Sequence, residues 1–251
     1  MKLKIIACDV LYREVCHAIA HSSHASDVTF VPFGLHDTPS VLRERLQEET
    51  DRAGEGDFDA VLLAYALCSR GTADLVARRI PLVLPRAHDC ITLLLGSRAR
   101  YSEEFGAHPG TYYYSAGWLE HRKDGEVRQG YISETEESET DARFREYCEK
   151  YGEDNARYLM EQEAQWMAHY NRIAFIDIGL GDVESYRKTA SGLAQDRGWQ
   201  FAEIPGDRRL IDRLIAGDWD DDFLVVQPGQ RVVEAFDERI VNTAGDVRSD
   251  E

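Results

Sequence analysis

Short apolar runs that do not alternate with polar residues constrain this chain most. Lys4–Ala7 (KIIA), Val28–Val31, Ala60–Ala64 (AVLLA), Leu82–Leu84, Arg172–Ile176 (RIAFI) and Phe223–Val226 (FLVV) are such runs, and Trp199–Ile204 (WQFAEI) reads as a further strand. A strand that is apolar at every position must be covered on both faces. Between the runs lie helix-like segments: Leu11–His21, Thr38-Pro39 through about Arg52, Thr72–Arg79, the stretch from Asp89 or Cys90 (CITLLLGSRARY), Val183–Gln195 and Leu210–Ala216. Thr38 followed by Pro39 has the form of a cap and a proline in the first helical turn. Strands alternating with helices predict an α/β fold, a parallel sheet with helices on both faces. Two Rossmann-like lobes and one sheet carrying an acidic helical insertion both satisfy the pattern.

The expected divisions are residues 1–119 as an N-terminal α/β lobe, 120–170 as an acidic loop and helical insertion, 171–235 as a C-terminal α/β lobe, and 236–251 as a tail. Gly110–Leu119 (GTYYYSAGWL) reads as an aromatic strand, either core or pocket wall. The run around Glu134–Asp141 is a solvated charge run or, alternatively, a recognition surface for a protein partner.

The 251 residues carry 29 basic and 46 acidic side chains, a formal charge of −17. No clustered basic face is visible, which argues against nucleic acid and against anionic membranes as partners. The opening MKLKIIACDV has only a short apolar stretch broken by Asp9, so it reads as neither signal peptide nor membrane span. Five cysteines, an odd number, fit a reducing cytoplasmic setting better than a disulfide framework.

In parallel α/β sheets ligands bind beyond the carboxyl ends of the strands. Those ends carry Cys8-Asp9, then Phe33-Gly34-Leu35-His36-Asp37, then Tyr65-Ala66-Leu67-Cys68-Ser69-Arg70-Gly71, then Pro85-Arg86-Ala87-His88-Asp89-Cys90. Cys8, Cys68 and Cys90 are therefore expected at one sheet edge, whereas Cys16 and Cys148 fall in helical segments. Three thiols with imidazoles nearby suit zinc or a [4Fe-4S] cluster with one open iron. The alternatives are a metal-free catalytic thiol and small buried hydrophobes. His88 or His36 would supply the fourth ligand or carry a proton, and Arg86 would hold a small anionic substrate. Ser69 and Arg70, at an expected helix start, would offer further anion contacts. Asp177-Ile178-Gly179-Leu180-Gly181 lacks the full spacing of a phosphate-binding glycine loop. No Walker sequence, G-x-S-x-G or H-E-x-x-H occurs.

The blocks Gly34-Leu35-His36-Asp37, Tyr65-Ala66-Leu67-Cys68, Pro85-Arg86-Ala87-His88-Asp89-Cys90-Ile91-Thr92, Leu95-Gly96-Ser97-Arg98, Pro109-Gly110-Thr111-Tyr112 and Gly117-Trp118 resemble the bacterial and archaeal domain-of-unknown-function 1638 family, from about Lys4 to about Gln227. That family more usually shows Tyr-Gly-Leu-Cys-Gly where this chain has Tyr65-Ala66-Leu67-Cys68-Ser69. The resemblance implies an association with corrinoid-dependent methyl transfer and one-carbon metabolism. His88, Cys90 and Cys68 are similar in kind to the ligands of zinc-dependent thiol methyltransferases. Cys8, Cys68 and Cys90 are similar to the three cluster ligands of quinolinate-synthase-like lyases. The expectation is a metal-dependent lyase or transferase acting on a small anionic or one-carbon/sulfur substrate. The alternative is a non-enzymatic accessory protein or metallochaperone that meets a corrinoid or methyltransferase partner.

Overall fold

The computed structural model describes residues 1–121, 144, 145, 147–149, 151–167 and 169–245, with the side chains of 161–167 left aside. Five strands form the larger sheet: β1 (Lys2–Cys8), β2 (Ala25–Val31), β3 (Ala60–Ala64), β4 (Leu82–Pro85) and β8 (Phe223–Val226), in the order β2-β1-β3-β4-β8. The first four are parallel, and β8 runs antiparallel beside β4, Leu82 facing Val226. A three-stranded parallel sheet orders β5 (Thr111–Tyr114), β6 (Arg172–Asp177) and β7 (Gln200–Pro205) consecutively. The hairpin β9 (Arg231–Glu234) and β10 (Val241–Ala244) follows. The chain is thus mixed α/β with a mostly parallel central sheet. The strand Phe223–Val226, expected within the C-terminal lobe, joins the larger sheet.

The inner strands β1, β3 and β4 are buried on both faces, which is why they read as continuous apolar runs, whereas the edge strand β2 stays largely open. On β1, Leu3, Ile5 and Ala7 pack to one face with Leu62 of β3 and with Leu210, Ile211, Leu214 and Ile215 of the helix Arg209–Ala216. Ile6 points the other way, to Leu63, Leu84, and Leu42 and Leu46 of the helix Pro39–Gly54. Each fully buried Leu or Ile contributes roughly 1.5–3 kcal/mol. Ala174, Ile176 and Ile204 of the smaller sheet enter the first of these clusters, so the two sheets share core. Tyr112, Tyr114, Ile173 and Phe175 form a cluster of their own with Ala190, Leu193 and Ala194 of the helix Val183–Asp196.

Three local expectations differ. Thr72–Arg79 is not helical: Asp74 and Ala77 donate to Val232 O (2.8 Å) and Gln230 O (3.0 Å), and Leu75 O accepts from Val232 (2.9 Å). Its backbone is satisfied by the β9 strand rather than by itself. The stretch after Asp89 is two helices, Cys90–Leu95 and Arg98–Ala107. Gly96 ends the first in the left-handed region at φ +72°, and Ser97 caps the second through Arg100 N at 3.3 Å. Finally, GTYYYSAGWL is a strand only to Tyr114; Ser115 caps the short helix Ala116–Glu120. The acidic run Glu134–Asp141 lies outside the described residues. No described helix is long and apolar enough to cross a membrane.

Candidate functional site

The loops after β1, β3 and β4 meet because their backbones are laced together. Ala7 faces Ala64, placing Cys8 level with the start of the β3 loop. Leu67 N then donates to Ala87 O (2.9 Å) and Cys68 N to His88 O (3.0 Å), drawing the β3 loop onto the β4 loop. Asp89 closes the arrangement by capping the helix that Cys90 begins, accepting from Thr92 N at 3.2 Å. Cys8, Cys68 and Cys90 thereby line one cavity of about 290 Å³.

The cavity lies between the two sheets. Phe33 and His36 enter from the loop after β2, Tyr65 and Ser69 from the loop after β3, and Thr111, Tyr112 and Tyr113 from β5. Trp118 and Tyr170 complete the wall. Trp118 arrives on the helix Ala116–Glu120, which rests on the turn Asp9–Leu11 so closely that a Cβ on Gly117 would stand 1.8 Å from Val10 O.

Each thiol keeps a partly exposed rim but is otherwise enclosed by protein. Burial pushes the Cys8 thiol up to about 12, opposed by a backbone hydrogen bond from Val10. Burial also raises Cys68, reinforced by Cys8, and raises Cys90, reinforced by Asp89, Cys68 and Cys8. Burial therefore keeps the three thiols protonated near neutral pH. Asp89 is raised by burial too, opposed by its bonds from Thr92 and from Tyr101, whose hydroxyl donates to Oδ2 at 3.1 Å. The buried hydroxyls of Tyr65 and Tyr113 make no conventional hydrogen bond, although the Cys8 thiol lies beside the first and the Thr111 hydroxyl beside the second.

Of the residues expected from the sequence, Cys8, Cys68, Cys90, His36 and Ser69 come together, while Arg70, Arg86 and His88 go elsewhere. His36 Nε2 faces Asp37 Oδ1 at 3.4 Å. Arg86 donates to the carbonyls of Val241 and, at 3.3 Å, Arg239, so it ties β4 to the C-terminal hairpin. Arg70 is exposed and pairs with Glu234 at 3.2 Å. His88 is exposed and faces a second cavity of about 760 Å³ with Arg98, Tyr101, Asp222, Asp237 and Glu238. The glycine turn after β6 spends its Gly179 amide on Asp177 Oδ1 at 2.7 Å. Asp89, Tyr65 and Trp118 were not singled out by chemistry in the sequence. In the sequence Asp89 stands only as one of two possible helix starts, and Trp118 within an aromatic run.

The donor set is thiol-rich, as a soft metal or a cluster requires. Among the described residues, however, no group of three His, Cys, Asp or Glu side chains is formed that could hold a metal ion.

Fold and site together define an α/β protein with a thiol-lined cavity at its strand ends. The family described as protein of unknown function (DUF1638) matches residues 30–215, and the chain belongs to it. Cys68 and Cys90 fall within that span and Cys8 precedes it. No curated protein and no solved structure matches the chain.

Proposed function

We propose that the chain is an enzyme of the reducing cytoplasm, its two mostly parallel sheets serving as Rossmann-like lobes on either side of a metal centre. The centre would be held by Cys8, Cys68 and Cys90 as a [4Fe-4S] cluster, with zinc as the alternative. The reaction would be that of a metal-dependent lyase or transferase on a one-carbon or sulfur compound. The observation that carries this reading is that thiols from three separate strand ends line one cavity. When bound, the centre would supply a Lewis-acidic position for a substrate heteroatom.

The chain's own residues do the rest. Burial keeps the thiols protonated, so loading the centre must release protons, and loading becomes easier as pH rises. The same burial disfavours a metal-free nucleophilic thiol, which needs a depressed pKa. The aromatic wall excludes water from the reacting space. His36, oriented by Asp37, is the group placed to carry a proton at its ring, and Ser69 offers a hydroxyl at the rim. The anionic substrate expected from the sequence depended on Arg86 and Arg70, which lie outside the cavity lining.

Anaerobic purification followed by reconstitution with iron and sulfide tests this. Stoichiometric iron with broad visible absorption, lost in Cys68→Ala and Cys90→Ala, is expected; one equivalent of zinc lost in the same variants selects the alternative. Neither metal bound, with Cys90→Ala indistinguishable from wild type, would sink the proposal.

A further inference from the structure

We infer that this cavity binds a small methylated onium cation, a quaternary ammonium or tertiary sulfonium group, held by its aromatic walls and the Asp89 carboxylate. The inference rests on the same site as the proposed function but not on its metal. Six aromatic side chains line the cavity: Phe33, Tyr65, Tyr112, Tyr113, Trp118 and Tyr170. Several of these rings meet at steep angles. Phe33 and Trp118 are tilted by 63° with centroids 5.1 Å apart, Tyr112 and Trp118 by 88° at 6.3 Å, and Tyr112 and Tyr170 by 63° at 5.8 Å. Rings set nearly at right angles form the walls of a box, whereas parallel rings would fill it as a stack. Aromatic boxes recognise alkylated cations because the ring faces are negative and the methyl groups of an onium ion carry its charge outward.

The charge of the lining points the same way. Among the described residues no lysine or arginine lines the cavity, Asp89 is its carboxylate, and its histidine is paired with Asp37. Among the described residues an anion would find no guanidinium or ammonium partner there. A strongly hydrated ammonium would need several acceptors, but an onium ion has no N–H to satisfy and loses little on entering an apolar box. The volume, about 290 Å³, sits at the low end of ligand cavities, which run from about 300 Å³ upward. The bonds from Thr92 N and the Tyr101 hydroxyl fix the Asp89 carboxylate at the cavity wall.

Choline and its neutral carbon isostere, 3,3-dimethylbutan-1-ol, separate charge from shape. Titrations of each, and of acetate, are followed by calorimetry and tryptophan fluorescence on metal-free and metal-loaded protein. Choline should bind about tenfold or more tightly than the isostere, with acetate silent. Asp89→Asn, which can still accept from Thr92 N, should narrow that ratio, and Trp118→Leu should abolish choline binding. Equal affinity for choline and the isostere, preference for acetate, or no choline binding at millimolar concentration in either preparation overturns the inference. Metal content measured on the same samples keeps the two readings apart. Choline binding without metal leaves the cage standing and removes the metal centre, and metal without choline binding does the reverse.

Discussion

Asp89 stands in the wall between two cavities of opposite character. On one side the smaller cavity holds three thiols and six aromatic rings. On the other, the larger one is lined by His88, Arg98, Asp222, Asp237 and Glu238. There Arg98 pairs with Asp222 at 3.2 Å and donates to Glu238 O at 2.6 Å. Three consecutive residues serve three places: His88 the charged cavity, Asp89 the wall, and Cys90 the thiols. Asp89 is extended (φ −152°, ψ 176°) and Cys90 begins the helix, so the strand's alternation, which would put His88 and Cys90 on one face, ends between them. The contrast teaches that a residue's position after a strand fixes the sheet edge it reaches but not the side of that edge. The bonds from Tyr101 and Thr92, which line the charged cavity, to Asp89, which lines the other, and the bond from Cys68 N to His88 O cross between them.

The largest way to break the contrast is to unseat the wall that belongs to the aromatic side alone. Gly117→Ala places a methyl 1.8 Å from Val10 O, a backbone atom that cannot rotate away. We expect a loss of about 3 kcal/mol or more, read as a lower denaturant midpoint, together with an altered Trp118 emission. A Gly117→Ala variant as stable as wild type would mean that Trp118 is not held over the thiols as described.

The next effect is chemical. Because Cys8 titrates near 12 rather than 9 when folded, the native state holds a proton between those values that the unfolded chain has lost. The proton difference, unfolded minus native, is negative in that window, so stability must fall as pH rises through it. Three pH units correspond to at most about 4 kcal/mol, reduced by the thiol's partly exposed rim. Denaturation midpoints from pH 8 to 11 should therefore drop, and less steeply in Cys8→Ser. A His88→Gln variant, altered only on the charged side, should follow wild type above pH 9. Parallel curves for Cys8→Ser and wild type would contradict the enclosed thiol.

Much of this arrangement was legible in the sequence because it depends on the backbone. Unbroken apolar runs required strands covered on both faces, and the residues after those strands had to share an edge, so Cys8, Cys68 and Cys90 could be grouped before any coordinates. The Asp89 helix start follows equally from local chemistry. What was not legible depends on contacts distant in the chain. Thr72–Arg79 has helical composition, yet its amides and carbonyls are taken by residues 230–232. Arg86 follows its strand as expected, but carbonyls more than 150 residues later capture its guanidinium. Trp118 reads as part of an aromatic strand, and only the glycine before it, pressed on Val10, shows why it reaches the cavity.

The smallest effect tests the loop that carries Cys68. Cys68, Ser69 and Arg70 have φ of 45°, 53° and 71°, three successive non-glycine residues in the left-handed region. Each costs about 1 kcal/mol there, because Cβ crowds the carbonyl that follows. The loop holds this shape because Gly71 N bonds to Cys68 O at 2.9 Å while Leu67 and Cys68 are laced to the β4 loop. Ser69→Gly relieves the crowding but adds freedom to the unfolded chain, so the net gain should be about 0.5 kcal/mol and no more than about 1. Equilibrium denaturation of the two proteins side by side measures it, and a loss of stability would mean the Ser69 hydroxyl holds the loop by a contact its exposed position does not suggest. If choline binding is unchanged in the more stable variant, the strain belongs to placing Cys68. If binding weakens as stability rises, the hydroxyl at the rim belongs to the ligand, and the strained loop is maintained for the aromatic cavity rather than for the fold.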